Sequence, residues 1–257
     1  MSAVAEPQAA ALARRALRPA AVLAVGSASS FLVYLDATIV NIAFPDVRSS
    51  FSGSTLAGLS WILSAYAIVF AALLVPGGRF ADVLGGRRLF LAGLGAFTAG
   101  SLLCATAPSV PLLVGARVLQ AAGGAMLVPA GQLLVMAAFP PEERMKVIGA
   151  MAGTAALAAA LGPVLGGLMV DLGGWRLVFL VNVPIGLAAL AFGVGMPQPD
   201  PHPNRRRPDL GGSLLAIAAV AALVIAAAVW YSKSRKIEVM VEPTDAGTAV
   251  AEEAATV

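Results

Sequence analysis

Apolar residues along this chain fall in long runs, with polar residues gathered between them. The runs predict seven helices, at about 20–44, 56–76, 89–107, 111–136, 147–169, 177–195 and 210–230. A helix needs roughly 20 residues to cross about 30 Å of hydrocarbon, because each residue advances about 1.5 Å. Lipid offers no partner to an open backbone N–H or C=O, so segments of this kind must be helical. The expectation is an all-α, polytopic membrane bundle whose partner is the lipid bilayer.

Composition sharpens the pattern. Hydrophobic residues make up 59% and charged ones 12% of the 257 residues, and the mean hydropathy is +0.86; soluble domains are about a quarter charged. The first run is too long for a signal sequence and carries Asp36, so it is read as a retained helix. Cys104 has no second cysteine to pair with and reads as a small packing residue within its span. The net charge of +3 comes from residues scattered among loops, which argues against nucleic acid.

Those loops give an orientation. Arg14, Arg15, Arg18, Arg79, Arg87, Arg88, Arg144, Lys146 and Arg205 to Arg207 fall on one side, against Arg48 and Arg176 on the other. Basic loops stay cytoplasmic, which predicts a cytoplasmic N-terminus in the plasma membrane. Trp61, Trp175 and Trp230 fall near the opposite ends of their spans and read as interfacial anchors. Lys233, Arg235 and Lys236 oppose the rule.

An offset of 89 residues aligns two loops without a gap. Gly77, Gly78, Asp82, Gly85, Arg87, Phe90 and Leu91 fall on Gly166, Gly167, Asp171, Gly174, Arg176, Phe179 and Leu180. Three spans separate the copies, so the loops lie on opposite faces, as in the inverted repeats of secondary transporters. The alternative is recurrence of Gly–Arg turns, which leaves the shared Asp unexplained. The organisation is therefore read as an N-terminal segment (1–19), a six-helix bundle of three plus three (20–195), a Pro/Arg-rich loop (196–209), a seventh, linker helix (210–230) and a polar, disordered tail (231–257). His202 lies in the loop and reads as solvated.

Four motifs occur in order: Leu35-Asp36-Ala37-Thr38-Ile39-Val40-Asn41 in span 1, Gly78-Arg79-Phe80-Ala81-Asp82 to Arg88 after span 2, Arg117-Val118-Leu119-Gln120 to Gly124 in span 4, and Gly162-Pro163-Val164-Leu165-Gly166-Gly167 in span 5. Trp175-Arg176, Phe179, Asn182, Pro184 and Gly186 follow. Over about residues 20–228 the set resembles the major facilitator superfamily, within it the fourteen-helix drug:proton antiporters. Val83, Gly86 and Ala121 depart from its usual residues. The resemblance implies proton-coupled efflux of a drug-like or amphipathic small molecule by alternating access, with protons as coupling ion and no other cofactor. No nucleophile–base pair, phosphate loop or metal-ligand cluster is evident, so an enzyme is not expected. One alternative is a transporter of other solutes in the same superfamily; the other, because relatives have two six-helix bundles, is a truncated, transport-incompetent half or subunit that needs a partner, a second bundle or a second copy.

The residues can be read beside the resemblance. Asp36, about 13 Å from the outer end of its span, is an ionisable group at a depth where one is costly without a function. Arg117 is expected at similar depth; the resemblance implies a role for it in proton exchange, and the alternative is a simple counter-ion to Asp36. Tyr34, Thr38 and Asn41 form a polar stripe that Asp36 does not share; with Gln120 they are candidates for a substrate cavity. Gly78, Asp82, Gly85, Arg87 and Arg88, with Asp171 and Arg176 opposite, read as a conformational latch. Ala158, Gly162, Pro163, Gly166 and Gly167 read as a packing hinge, with a kink at Pro163.

Overall fold

The computed structural model describes residues 19–195 and two isolated positions, 218 and 222. The seventh helix (apart from those positions), the loop at 196–209, the tail at 231–257, Trp230 and the basic residues before Pro19 lie outside the described residues.

Among the described residues every regular element is helical. They are α1 (Pro19–Ser50), α2 (Leu56–Leu84), α3 (Gly86–Ala105), α4 (Val110–Ala138), a 3-10 turn (Pro141–Glu143), α5 (Arg144–Gly173), α6 (Trp175–Leu180) and α7 (Asn182–Gly193). α6 and α7 form one span with a single-residue interruption at Val181, and six spans are long and apolar enough to cross a membrane. Two helices outrun their apolar runs. α1 continues to Ser50 because Ala43 and Val47 keep a buried face while Asn41, Arg48 and Ser49 point outward. α2 continues to Leu84 with Gly77 and Ala81 buried.

Local chemistry sets the ends. Thr55 caps α2, its Oγ1 accepting from the Gly58 N–H at 3.1 Å. α4 opens with Pro111 in its first turn, where a missing N–H costs nothing. Pro45, Pro76, Pro129 and Pro163 lie inside helices that run on through them. At Pro163, where a kink was expected, α5 runs on without interruption of its helical assignment.

α2 meets α3, and α5 meets α6, across a single glycine: Gly85 (φ 94°) and Gly174 (φ 75°). These are the positive-φ residues among those described, and they stand 89 apart, as the sequence repeat requires. Each donates its N–H four residues back, Gly85 to the Ala81 carbonyl at 3.1 Å and Gly174 to the Val170 carbonyl at 2.8 Å. A side chain is strained at such angles. At Gly174 a Cβ would also lie 3.3 Å from Asp46 Oδ2. Gly174→Ala should therefore lower stability by about 1–3 kcal/mol in thermal melts of the detergent-purified protein; an unchanged Tm would count against strain at this turn.

The same offset governs packing. A Cβ at Gly77 would run into the Ala125 carbonyl of α4, and one at Gly166 would lie 3.0 Å from Ile42 of α1. The second helix of each trio thus presses through a glycine onto the first helix of the other. Ala158 and Gly162 extend the α5 ridge, with Gly162 against Thr38. Gly167 has open space beside it and Pro163 is exposed, so neither belongs to that ridge.

Two apolar clusters form the core. One joins Leu32 and Val33, Leu94 and Phe97, Leu127 and Ala189; the other joins Leu35 and Ile39, Cys104, Leu113 and Ala116, and Phe179. Val75, Val164, Leu168, Leu172 and Phe192 point outward, as a lipid-facing surface should. Trp61 is exposed with them, but Trp175 is 2% exposed. Trp175 is therefore a core residue and not an interfacial anchor: its ring packs on Phe51 and Phe179 and its Nε1–H donates to Ser50 Oγ at 3.0 Å. Cys104 is buried at the end of α3, one residue before its last, where mid-span was expected.

Candidate functional site

A polar layer lies between the two apolar clusters. Each contributing helix enters it at one point: α1 at Asp36, between Val33 and Ile39; α3 at Ser101, between Phe97 and Cys104; α4 at Arg117 and Gln120, between Leu113 and Leu127; α7 at Asn182, between Phe179 and Ala189. All five side chains are buried. Asp36 stands 14 residues before Ser50 and 17 after Pro19, near the middle of its helix. It lies farther from the end of its helix than the sequence implied, because α1 continues beyond its apolar run.

The layer is closed around the carboxylate. Arg117 Nη1 donates to Asp36 Oδ2 at 2.5 Å, Gln120 Nε2 to Oδ1 at 2.8 Å and Asn182 Nδ2 to Oδ1 at 3.0 Å. Gln120 in turn accepts from Arg117 through Oε1 at 2.7 Å and donates to Ser101 Oγ at 2.7 Å. The guanidinium also donates from Nε to the Ile62 carbonyl of α2 at 3.4 Å and lies 3.9 Å from the centroid of the Tyr66 ring. An ionised group inside low-dielectric surroundings is tolerated only with this degree of pairing.

Beside the pair is a groove of about 430 Å³ lined by Ala37, Asn41, Leu63, Tyr66, Phe70 and Arg117 among others. Tyr66 and Phe70 stack along it, centroids 5.9 Å apart. Arg117 thus touches the groove on one side and Asp36 on the other. Of the residues proposed for a cavity, Asn41 lines this groove. Thr38 is turned to its own helix, donating to the Leu35 carbonyl at 3.0 Å, and packs on α5. Tyr34 is exposed, and Gln120 belongs to the closed polar layer. Tyr66, Ser101 and Asn182 were not singled out as site residues from sequence; Ser101 and Tyr66 carry no signal there, being ordinary residues in apolar helices.

The loop residues are arranged differently from a pair of matched charge clusters. Asp82 and Asp171 are exposed and form no ion pair with Arg87 or Arg176. Arg87 donates to the Val194 carbonyl at the end of α7, and Arg176 reaches the Ala107 carbonyl at 3.4 Å while stacking on Trp175. Arg88 is exposed, and Gly78 is less tightly packed than its neighbour Gly77. On the opposite side the tie between α1 and α6 is made by Asp46, whose Oδ2 accepts from the Trp175 N–H at 2.8 Å. Charge–backbone bonds are as strong as many ion pairs and leave no mark in a search for opposite charges.

Residues 26–245 match the family model of the Major Facilitator Superfamily. The chain is 40% identical over 197 residues to "Multidrug resistance protein Stp" of Mycobacterium tuberculosis, covering 76% of this chain and 36% of that protein. It is 38% identical over 208 residues to the "Probable actinorhodin transporter" of Streptomyces coelicolor, covering 79% of this chain and 36% of that protein. The fold is also that of a crystal structure of a peptide transporter, POT, with a TM-score of 0.62 at 21% identity over 81% of this chain and 44% of that one. The chain thus spans little more than a third of the length of the first two relatives. With six membrane-type helices, the repeat and the ordered motifs, these matches decide the family: the chain belongs to the major facilitator superfamily of membrane transporters.

Proposed function

We propose that this chain forms the proton-handling bundle of a drug:proton antiporter of the fourteen-helix branch, exporting drug-like or amphipathic compounds by alternating access. The observation that carries the reading is Asp36: a carboxylate near the centre of its helix, fully buried, held by Arg117, with the same arginine forming one wall of an open groove. An ionisable group at that depth is a functional site by default. Protonation of Asp36 removes the partner of Arg117 and leaves a cation beside the groove; loss of that proton restores the pair. Two charge states of one buried pair are what an exchanger needs in order to favour two conformations. The relatives' names supply the substrate class. A second bundle, or a second copy of this chain, covers the groove. The distribution of basic loops supports a cytoplasmic N-terminus and a place in the cytoplasmic membrane as part of this reading.

The test is efflux of a lipophilic fluorescent dye from proteoliposomes containing the full chain, driven by an imposed pH gradient. Asp36→Asn should abolish the pH-driven component, and dye binding should survive. Gradient-driven efflux that persists in Asp36→Asn would overturn the assignment.

A further inference from the structure

Two amides hold the same oxygen of Asp36, and their surroundings differ. Gln120 is fixed at both ends: Oε1 accepts from Arg117 at 2.7 Å, and Nε2 donates to Asp36 and to Ser101. Asn182 is fixed at one end. Its Nδ2 donates to Asp36 Oδ1 at 3.0 Å, while its Oδ1 is buried without a hydrogen-bond partner. A buried amide oxygen without a donor is unusual. A half-turn about the last side-chain bond exchanges Nδ2 and Oδ1 in nearly the same volume.

We propose that Asn182 is a positioning residue that follows the protonation state of Asp36 by turning its amide. With Asp36 ionised, Asn182 donates to Oδ1. When a proton from water binds Oδ1, that N–H faces an O–H, and the turned amide accepts the O–H through its own Oδ1. One amide atom is unpaired in each state, so both orientations are tolerated. Gln120 cannot make this turn without losing its bond from Arg117. The ionisable groups around Asp36 are Arg117 on α4, Tyr66 on α2 and Cys104 on α3; none of them presents an acceptor bonded to Oδ1. Asn182 opens α7 directly after the interruption at Val181, so the turn is placed where the sixth span is already divided. The inference rests on the reading that Asp36 takes up a proton.

Infrared difference spectra of the full chain in lipid nanodiscs, taken across a pH titration, test it. The carbonyl band of protonated Asp36 is identified by its loss in Asp36→Asn. In Asn182→Leu the band should move to higher wavenumber, because the O–H has lost its acceptor; Asn182→Gln should return it toward the original position. If Asn182→Leu does not fold, carbonyl-labelled asparagine in the wild-type chain should show a band shift that tracks the Asp36 titration. An Asp36 band indifferent to Asn182→Leu, or a labelled amide indifferent to pH, overturns the amide turn alone. Absence of any Asp36 band overturns the proton uptake on which it rests.

Discussion

Arg117→Met is expected to destabilise the protein by about 3–5 kcal/mol, and adding Asp36→Asn is expected to recover most of the loss. Removing the guanidinium takes the charge-assisted bond from Asp36 Oδ2 and leaves an anion in an interior where Gln120 and Asn182 supply only neutral donors. It also removes the donor to the Ile62 carbonyl and the cation over Tyr66. Neutralising Asp36 in that background removes the unpaired buried charge, which accounts for most of the cost. Asp36→Asn by itself should cost less than Arg117→Met, because Arg117 keeps Gln120, Tyr66 and a wall of the groove. Denaturation in mild detergent at one pH, read for the four members of the cycle, measures the coupling. Additive losses would mean that the pair is not electrostatically linked.

Gly123→Ala should destabilise by about 1–3 kcal/mol, whereas Gly95→Ala should be neutral or stabilise by up to about 1 kcal/mol. Both are glycines within helices, where alanine is ordinarily the better residue. A Cβ at Gly123 would meet the Gly93 carbonyl oxygen at 2.7 Å and Phe97 Cα at 2.9 Å, both backbone atoms of α3 that cannot rotate away. A Cβ at Gly95 meets nothing within 4 Å. The effect should reach the polar layer, because the α3–α4 approach that Gly93 and Gly123 permit also holds Gly100 against the backbone of Gln120. Pushing the helices apart lengthens the Ser101–Gln120 bond, so Gly123→Ala should also impair pH-driven efflux while Gly95→Ala leaves it intact. The same Tm for both variants would show that helix propensity outweighs packing here.

The motifs in the sequence named residues without naming their contacts. Asp36 and Arg117 lie 81 positions apart, and their reading as partners rested on the depth of each in its own span; in the fold they touch. Trp175 misled because position along a span says how deep a side chain sits and nothing about whether it faces lipid or a neighbour. Its place at the start of α6 brings it beneath the end of α1, where Phe51 and Ser50 cover it. Asp82 and Asp171 drew attention as charges at equivalent positions of a repeat. Bonds formed at those loops include ones from Arg87 and Arg176 to carbonyls and from the Trp175 amide to Asp46, and a backbone partner has no letter in the sequence.

By itself the sequence determined that this is a membrane helix bundle, that its six described spans repeat after 89 residues, and which family it belongs to. Hydropathy and glycine turns are local properties, so runs and spacings carry them. Tertiary structure alone decided that Asp36, Ser101, Arg117, Gln120 and Asn182 form one closed polar layer, that Arg117 is the member reaching the groove, and that Asn182 is the amide with a free end. Those facts depend on how four helices are rotated about their own axes. In lipid that rotation follows from close packing at glycines and from the need to pair every buried polar atom, and both are properties of the assembled bundle, not of any one helix.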